Sequence, residues 1–440
     1  MSDVNWPFLR GRQLVIERAE GVHLHTDDGR TLLDAAGGAI VANIGWGNAR
    51  VAERVARITR DYTYVVPPWI TPSRRDLVEA LEAHWLPPGL RRVHITSGGS
   101  DAIESAMKLA IQYQAARGEP QRRQIISRSV SYHGTTVATT AVSGHAARKR
   151  GLAHALNAHP TVATPYPLRC PLGRHHPDAT RFYLDSLRET LEAEGPETIA
   201  ALLAEPISGS SGGAIVPPDD YWPGVRRICD EYGVLLVLDE VMTGFGRTGK
   251  PFAFQHWGIE PDILVSGKGL AGGYAPIGGV FASEAIGTAL ADAGMNVMFH
   301  TFGAHPAACG AAAEVLTIMA EDKLVERAAR QGEKLKAELE RVFAGHRHVA
   351  EVRGRGLLLA IEVVRDRETL EPFPESAAVT NRIVGAALER GVFFYGGGTG
   401  EIRDIVCMGP AFVIGDADLV RIAETLRAAV DSATARALSA

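Results

Sequence analysis

The run Val234-Leu235-Leu236-Val237-Leu238 constrains this chain most. It is wholly apolar, rich in β-formers, short, and bounded by Gly233. An apolar run without alternation reads as a strand buried on both faces, the condition of a parallel sheet covered by helices. It ends on two acids, Asp239 and Glu240. A carboxylate at the carboxyl end of such a strand is poorly placed for stability. It is well placed for a ligand, because open α/β sheets bind ligands there. A second run, Ile263-Leu264-Val265, ends on Ser266-Gly267-Lys268-Gly269 and delivers an amine between two glycines.

Two readings of this pair stand side by side. In one, Asp239 caps a turn and Lys268 is a solvated surface lysine. In the other, an apolar setting desolvates the Lys268 ammonium, lowers its pKa and exposes a nucleophile toward carbonyls. Pyridoxal phosphate is held by such a lysine, and its ring nitrogen needs a carboxylate partner. Lys268 and Asp239 fit those two roles.

Other runs repeat the strand–loop–helix theme. Val93-His94-Ile95-Thr96 enters Ser97-Gly98-Gly99-Ser100-Asp101, and a helix is expected from about Ala102 to Arg117. Free backbone N–H groups and the positive end of the helix dipole make an anion site there. Asp101 and Glu104 read as a capping pair. Gln124 to Ser127 is a strand followed by Tyr132-His133-Gly134, whose aromatic ring is suited to lie on a planar cofactor. Ile199 to Ala204 is a strand ending on Glu205, and a helix capped by Asp219 or Asp220 runs to Tyr232. Successive βαβ units imply a mostly parallel sheet.

Beyond Lys268, the strand Gly279 to Ser283 and the helix Ala307 to Glu321 are expected. A helix follows at Leu324 to Phe343, then strands at Val352 to Glu362, Val392 to Tyr395 and Ile405 to Pro410. Helices near Ala378 to Arg390 and Asp416 to Ala437 complete this region. At the other end, Val15 to Asp34 reads as two alternating runs around Asp28-Gly29, a hairpin signal. The 440 residues thus divide into an N-terminal segment (1–50), a large domain (51–309) and a smaller C-terminal domain (310–440).

Several motifs are decoys. Gly244-Phe245-Gly246-Arg247-Thr248-Gly249 matches the dinucleotide pattern, but no helical period opens behind it. Ser266-Gly267-Lys268-Gly269 lacks the first glycine and the hydroxyl of a P-loop. His23 with His25, and Cys170 with His175 and His176, lack further ligands, so no metal is expected. The four cysteines form no C-x-x-C pair and read as reduced thiols. A net charge of −5 gives no reason to expect nucleic acid or an anionic membrane as partner. Met1 to Leu9 has no apolar core of signal-peptide length, so a cytoplasmic protein is expected.

Laid out in order, these residues resemble the class III (ω) aminotransferases, a family of fold-type I pyridoxal phosphate enzymes. The resemblance spans nearly the whole chain. It rests on Gly99-Ser100-Asp101-Ala102, Tyr132-His133-Gly134, Glu205-Pro206-Ile207, Asp239-Glu240-Val241 through Gly249, Ser266 to Gly269, and Thr301 with His305-Pro306. It implies an α/β fold with a large, mostly parallel sheet and a smaller α/β domain built from both chain ends.

It also implies pyridoxal phosphate bonded to Lys268, with Asp239 on its ring nitrogen. Tyr132 and Val241 would flank the ring, beside His133. Gly99 and Ser100 would hold the phosphate, joined by Thr301 from the neighbouring subunit of a homodimer or tetramer. Glu205 would form the floor. The implied reaction moves an amino group from an ω-amino acid or amine to a keto acid by a ping-pong mechanism. Thr135 and Met242 stand where the glutamate-using branches carry Arg and Gln, which favours pyruvate over 2-oxoglutarate. Arg403, Ile40 and Trp69 are the candidate substrate contacts. An aminomutase, a decarboxylating transaminase and a non-catalytic nucleotide-binding or scaffold protein remain alternatives.

Overall fold

A computed structural model describes residues 14–295, 299–400 and 402–438. The reading of Met1 to Leu9 falls outside these residues. At the centre lies a seven-stranded sheet. From one edge its order is Arg92–Thr96, Gly278–Ala282, Ile263–Ser266, Leu235–Asp239, Ile199–Ala204, Gln124–Arg128 and Thr161–Val162. Only Gly278–Ala282 runs against the rest. The crossovers between the parallel strands carry the helices that cover both faces.

Period-two alternation divides the central strands between two cores. Ala201, Leu203, Leu235, Val237, Ile263 and Val265 pack with Ala102, Ile103 and Ala106 of the helix Gly99–Ala116. Leu202, Leu236, Leu238 and Leu264 belong to the other core, with Trp222, Val225 and Ile228 of the helix Tyr221–Tyr232. All these residues are buried. Both faces being covered is why the runs show no polar alternation.

Element ends follow local chemistry. The Asn48 side chain accepts from the N–H groups of Arg50 (3.0 Å) and Val51 (3.4 Å) and starts the helix Ala49–Asp61. Gly233, at φ 66°, ends the helix Tyr221–Tyr232 and turns the chain into the Asp239 strand.

Two smaller sheets complete the fold. The strands Ile16–Glu20, His23–Thr26 and Thr31–Asp34 form an antiparallel unit, to which Val392–Phe393 adds in parallel. The other is antiparallel, in the order Val349–Arg355, Leu358–Val363, Ile405–Met408 and Tyr395–Gly397.

The structure corrects several expectations. The expected strand Val352 to Glu362 is a hairpin broken at Gly356, which has φ 55°. A Cβ there would lie 2.4 Å from the Thr248 carbonyl carbon, so the tight turn is set by a neighbour distant in sequence. The strand Val392 to Tyr395 is shared between two sheets, parting at Phe394. The N-terminal unit has three strands, because Gly21 turns the chain before Asp28-Gly29 does. The phosphate-type helix begins at Gly99, so Asp101 lies in its first turn and no side chain caps it. A helix at Glu284–Asp292 was not foreseen.

The Gly244 to Gly249 decoy has a structural task. Arg247 is buried, and its guanidinium donates to the carbonyls of Leu357 (3.2 Å), Pro410 (2.6 Å) and Ala42 (3.0 Å) and to Asn43 Oδ1 (3.0 Å). One side chain thus ties the N-terminal segment to two C-terminal stretches, the hairpin turn at Leu357 and the chain just past Ile405–Met408. Arg247→Met should lower stability by about 3 kcal/mol, because it orphans several buried acceptors. Denaturant titration of variant and parent reads this, and a loss under about 1 kcal/mol would remove the clamp role.

Candidate active site

The carboxyl ends of the central strands open on one cavity. Its walls include Gly99, Ser100, Tyr132, His133, Gly134, Glu205, Asp239, Val241 and Lys268. Sequence positions more than 160 residues apart meet here because parallel strands all end on the same sheet edge.

Asp239 closes its strand and is 5% exposed. Its Oδ2 lies 2.8 Å from His133 Nδ1, and its Oδ1 accepts the Val241 N–H at 3.0 Å. A carboxylate oxygen accepts, so Nδ1 of His133 carries the hydrogen. Each carboxylate oxygen keeps a lone pair for a further donor. The His133 ring is buried, and its Nε2 has no protein partner. Glu240 does unrelated work. Its buried carboxylate accepts from Thr243 Oγ1 (2.6 Å) and from the N–H groups of Ala253 (2.9 Å) and Phe254 (2.8 Å).

Lys268 follows Gly267 at the end of Ile263–Ser266, at φ 34°. A non-glycine residue in this left-handed region stores strain, and such strain gathers at functional sites. The flanking glycines serve close approach. A Cβ on Gly269 would lie 2.5 Å from Asn43 Nδ2, and one on Gly267 3.3 Å from Val241 Cγ1. Burial lowers the Lys268 pKa to about 8, against the opposing pull of Asp239 and Glu205. Glu205 accepts from the Gly209 N–H at 2.8 Å and the Tyr132 N–H at 3.4 Å, and burial raises its pKa.

The helix Gly99–Ala116 points its uncapped N-terminus at the cavity. Ser100 Oγ accepts the Thr135 N–H at 3.1 Å. A Cβ on Gly134 would lie 2.6 Å from Ser100 Oγ and from Thr139 Oγ1, so only glycine leaves this hollow open. Val241 approaches from the other side, 3.2 Å from where a Gly99 Cβ would stand.

Thr301, which the resemblance assigns to a neighbouring subunit's site, is exposed in its own chain. The candidate substrate contacts do not line this cavity. Ile40 is buried against Gly409, and Trp69 is 70% exposed. Arg403 rests on the carbonyls of Phe373 (3.3 Å) and Gly400 (3.4 Å). Ser210 and Thr243 line the cavity but were not singled out as site residues. Ser210 sits in the glycine-rich stretch after Glu205, and that composition was its only signal. Among the described residues no cluster of three or more His, Cys, Asp or Glu could hold a metal ion. The four cysteines are buried and unpaired. No described helix is long and apolar enough to cross a membrane.

A buried carboxylate at a strand end, a desolvated lysine and an open helix N-terminus around one hollow suit the binding of pyridoxal phosphate. The family model for class-III aminotransferases matches residues 9–430, and the chain belongs to that family. The taurine–pyruvate aminotransferase of Rhodobacter capsulatus is 35% identical over 437 residues, 96% of this chain and 93% of the relative. The putrescine–pyruvate aminotransferase of Pseudomonas aeruginosa is 31% identical over 449 residues, 98% and 95% of the two chains. Among solved structures, an amine transaminase from an uncultivated Pseudomonas species in its PLP-bound form is 33% identical. It superposes with a TM-score of 0.90 over 99% of each chain.

The chain is therefore an aminotransferase, and its cofactor is pyridoxal phosphate. The residues present fit that group. The Gly134 hollow and the uncapped helix suit its phosphate, Asp239 its ring nitrogen and Lys268 its aldehyde. A lysine pKa near 8 has a kinetic consequence, because only the neutral amine attacks. Cofactor capture by the apoprotein should accelerate with pH and level off near pH 8. Stopped-flow absorbance reads this, and a rise continuing to about pH 10, the ordinary lysine value, would contradict it.

Proposed function

We propose that this chain transfers an amino group from an ω-amino acid or amine to a keto acid in two ping-pong half-reactions. Pyruvate is the favoured acceptor and 2-oxoglutarate the alternative. The observation that carries the reading is the single cavity shared by Lys268, Asp239 and Ser100. The pyruvate preference is supported by Thr135 and Met242, and by the two relatives named for pyruvate.

Pyridoxal phosphate, when bound, supplies an electron sink that makes the amino-bearing carbon acidic. Lys268 anchors the cofactor and, once displaced by the donor, takes the proton from that carbon and returns it. Its low pKa keeps a useful fraction of the amine neutral near pH 7. Asp239 holds a proton on the ring nitrogen, oriented for this by His133 and the Val241 N–H.

Gly99 and Ser100 bind phosphate through the helix start. Tyr132 and Val241 flank the ring, and Glu205 shapes the floor. Thr301 of a neighbouring copy completes the phosphate site, so the active unit is a homodimer. Phe299 and Phe302, on either side of Thr301, are 62% and 60% exposed, and such apolar surface favours coverage by a second copy. The enzyme works in the cytoplasm.

Lys268→Ala should abolish turnover and leave the fold unchanged, as read by circular dichroism and a coupled assay. Transamination near the parent rate would overturn the role. Asp239→Asn should retain cofactor but lose well over about tenfold in kcat, since the ring proton is no longer held. A panel of donors and acceptors, read as bleaching of the cofactor band, should rank pyruvate first; a faster reaction with 2-oxoglutarate would reverse that assignment.

A further inference from the structure

We propose that Arg148 is the cation that receives the substrate carboxylate at the mouth of this site. It would bind both the keto acid and any amino donor that carries an acid group. The proposal rests on the aminotransferase reading above.

The cavity lacks a fixed cation for an acid group. Lys268 is the one cationic side chain on its wall among the described residues, and it is committed to the chemistry. The other carboxyl groups there, Asp239 and Glu205, offer an incoming carboxylate no cation. A cation at the rim is therefore needed if the acceptor is a keto acid.

Arg148 meets that need. It is exposed, and its guanidinium carbon lies 4.8 Å from the centroid of the Tyr132 ring. Tyr132 lines the cavity with Lys268 and Asp239, so the cation stands against a wall residue, just outside the lining itself. Stacking on an aromatic face orients a guanidinium without using its N–H groups, which stay free for a bidentate carboxylate. Among the described residues, no carboxylate is paired with Arg148. The neighbouring His145 ring meets Tyr132 at 6.2 Å, and burial lowers its pKa. It is therefore not a competing cation at neutral pH.

The backbone connects Arg148 to the cavity. It lies on the short turn Ala146–Lys149, where the Ala147 N–H donates to the Thr399 carbonyl at 3.0 Å. The adjacent Gly398 N–H donates to the carbonyl of Ser210, itself a wall residue, at 2.8 Å. Turn, loop and wall therefore form one rim.

Four other arginines, Arg128, Arg247, Arg353 and Arg403, are already engaged. Arg247 and Arg353 are buried in hydrogen bonds. Arg128 donates to the Glu205 carbonyl beneath the floor. Arg403 rests on two carbonyls outside the cavity. The substrate class follows from this placement. Carboxylate-bearing partners gain the Arg148 contact and simple amines do not.

The test uses the holoenzyme and two half-reactions followed by cofactor absorbance. One takes a simple aliphatic monoamine; the other takes pyruvate, and separately 2-oxoglutarate, with the amino form. In Arg148→Gln the selectivity for keto acid over monoamine, as a ratio of kcat/KM, should fall at least about tenfold, through KM. Arg148→Lys should recover part of it, because the charge remains while the planar fork is lost. An unchanged ratio, whether both half-reactions stay as they were or weaken together, overturns the Arg148 assignment and leaves the aminotransferase reading standing. A parent enzyme that passes its amino group to no keto acid overturns both.

Discussion

The site depends on one buried carboxylate held in a fixed orientation. Asp239 stands at the end of the central strand, and its two oxygens are fastened by His133 Nδ1 and the Val241 N–H. An unpaired carboxylate there would cost several kcal/mol in desolvation. Two directional donors offset part of that cost and leave lone pairs facing the hollow. His133 thus orients the acid. The sheet makes the arrangement possible, because its strands lie about 4.8 Å apart and end together. The acid at one strand end and the amine at the next are neighbours for that reason.

The neighbouring acid shows how strictly the backbone sorts roles. Asp239 and Glu240 are adjacent, yet strand alternation sends their side chains opposite ways. Asp239 faces the hollow, while Glu240 turns into the protein and organises the Ala253–Phe254 turn through three donors. Burial pushes the Glu240 pKa up to about 7. The glycine-rich segment that follows has the same inward task. It resembles a nucleotide loop in composition, but Arg247 fills its interior and clamps three distant segments.

Much of this was legible in the residues. Apolar runs without alternation announced strands covered on both faces, and the two cores show why. Lys268 between glycines, Asp239 at a strand end and Gly99-Ser100 at a helix start were all readable, because each belongs to a local pattern with its own physical reason. Features that depend on distant neighbours were not legible. The Gly356 break depends on contact with Thr248, the parting at Phe394 on the competition of two sheets, and the His133–Asp239 bond on strands far apart in sequence. Arg148 was silent too, since nothing in Ala146-Ala147-Arg148-Lys149 says which ring it will cover.

The sequence by itself determined the fold class and the order of the strands' chemistry, and its ordered motifs carried the family resemblance that implies the cofactor. The first two rest on local periodicity, the last on six motifs kept in order along the chain. Only the tertiary structure decided what orients Asp239, where Glu240 turns, and which ring Arg148 covers. Those are questions of distance between segments that local propensity never sees, and they are settled when the strands align and their ends converge.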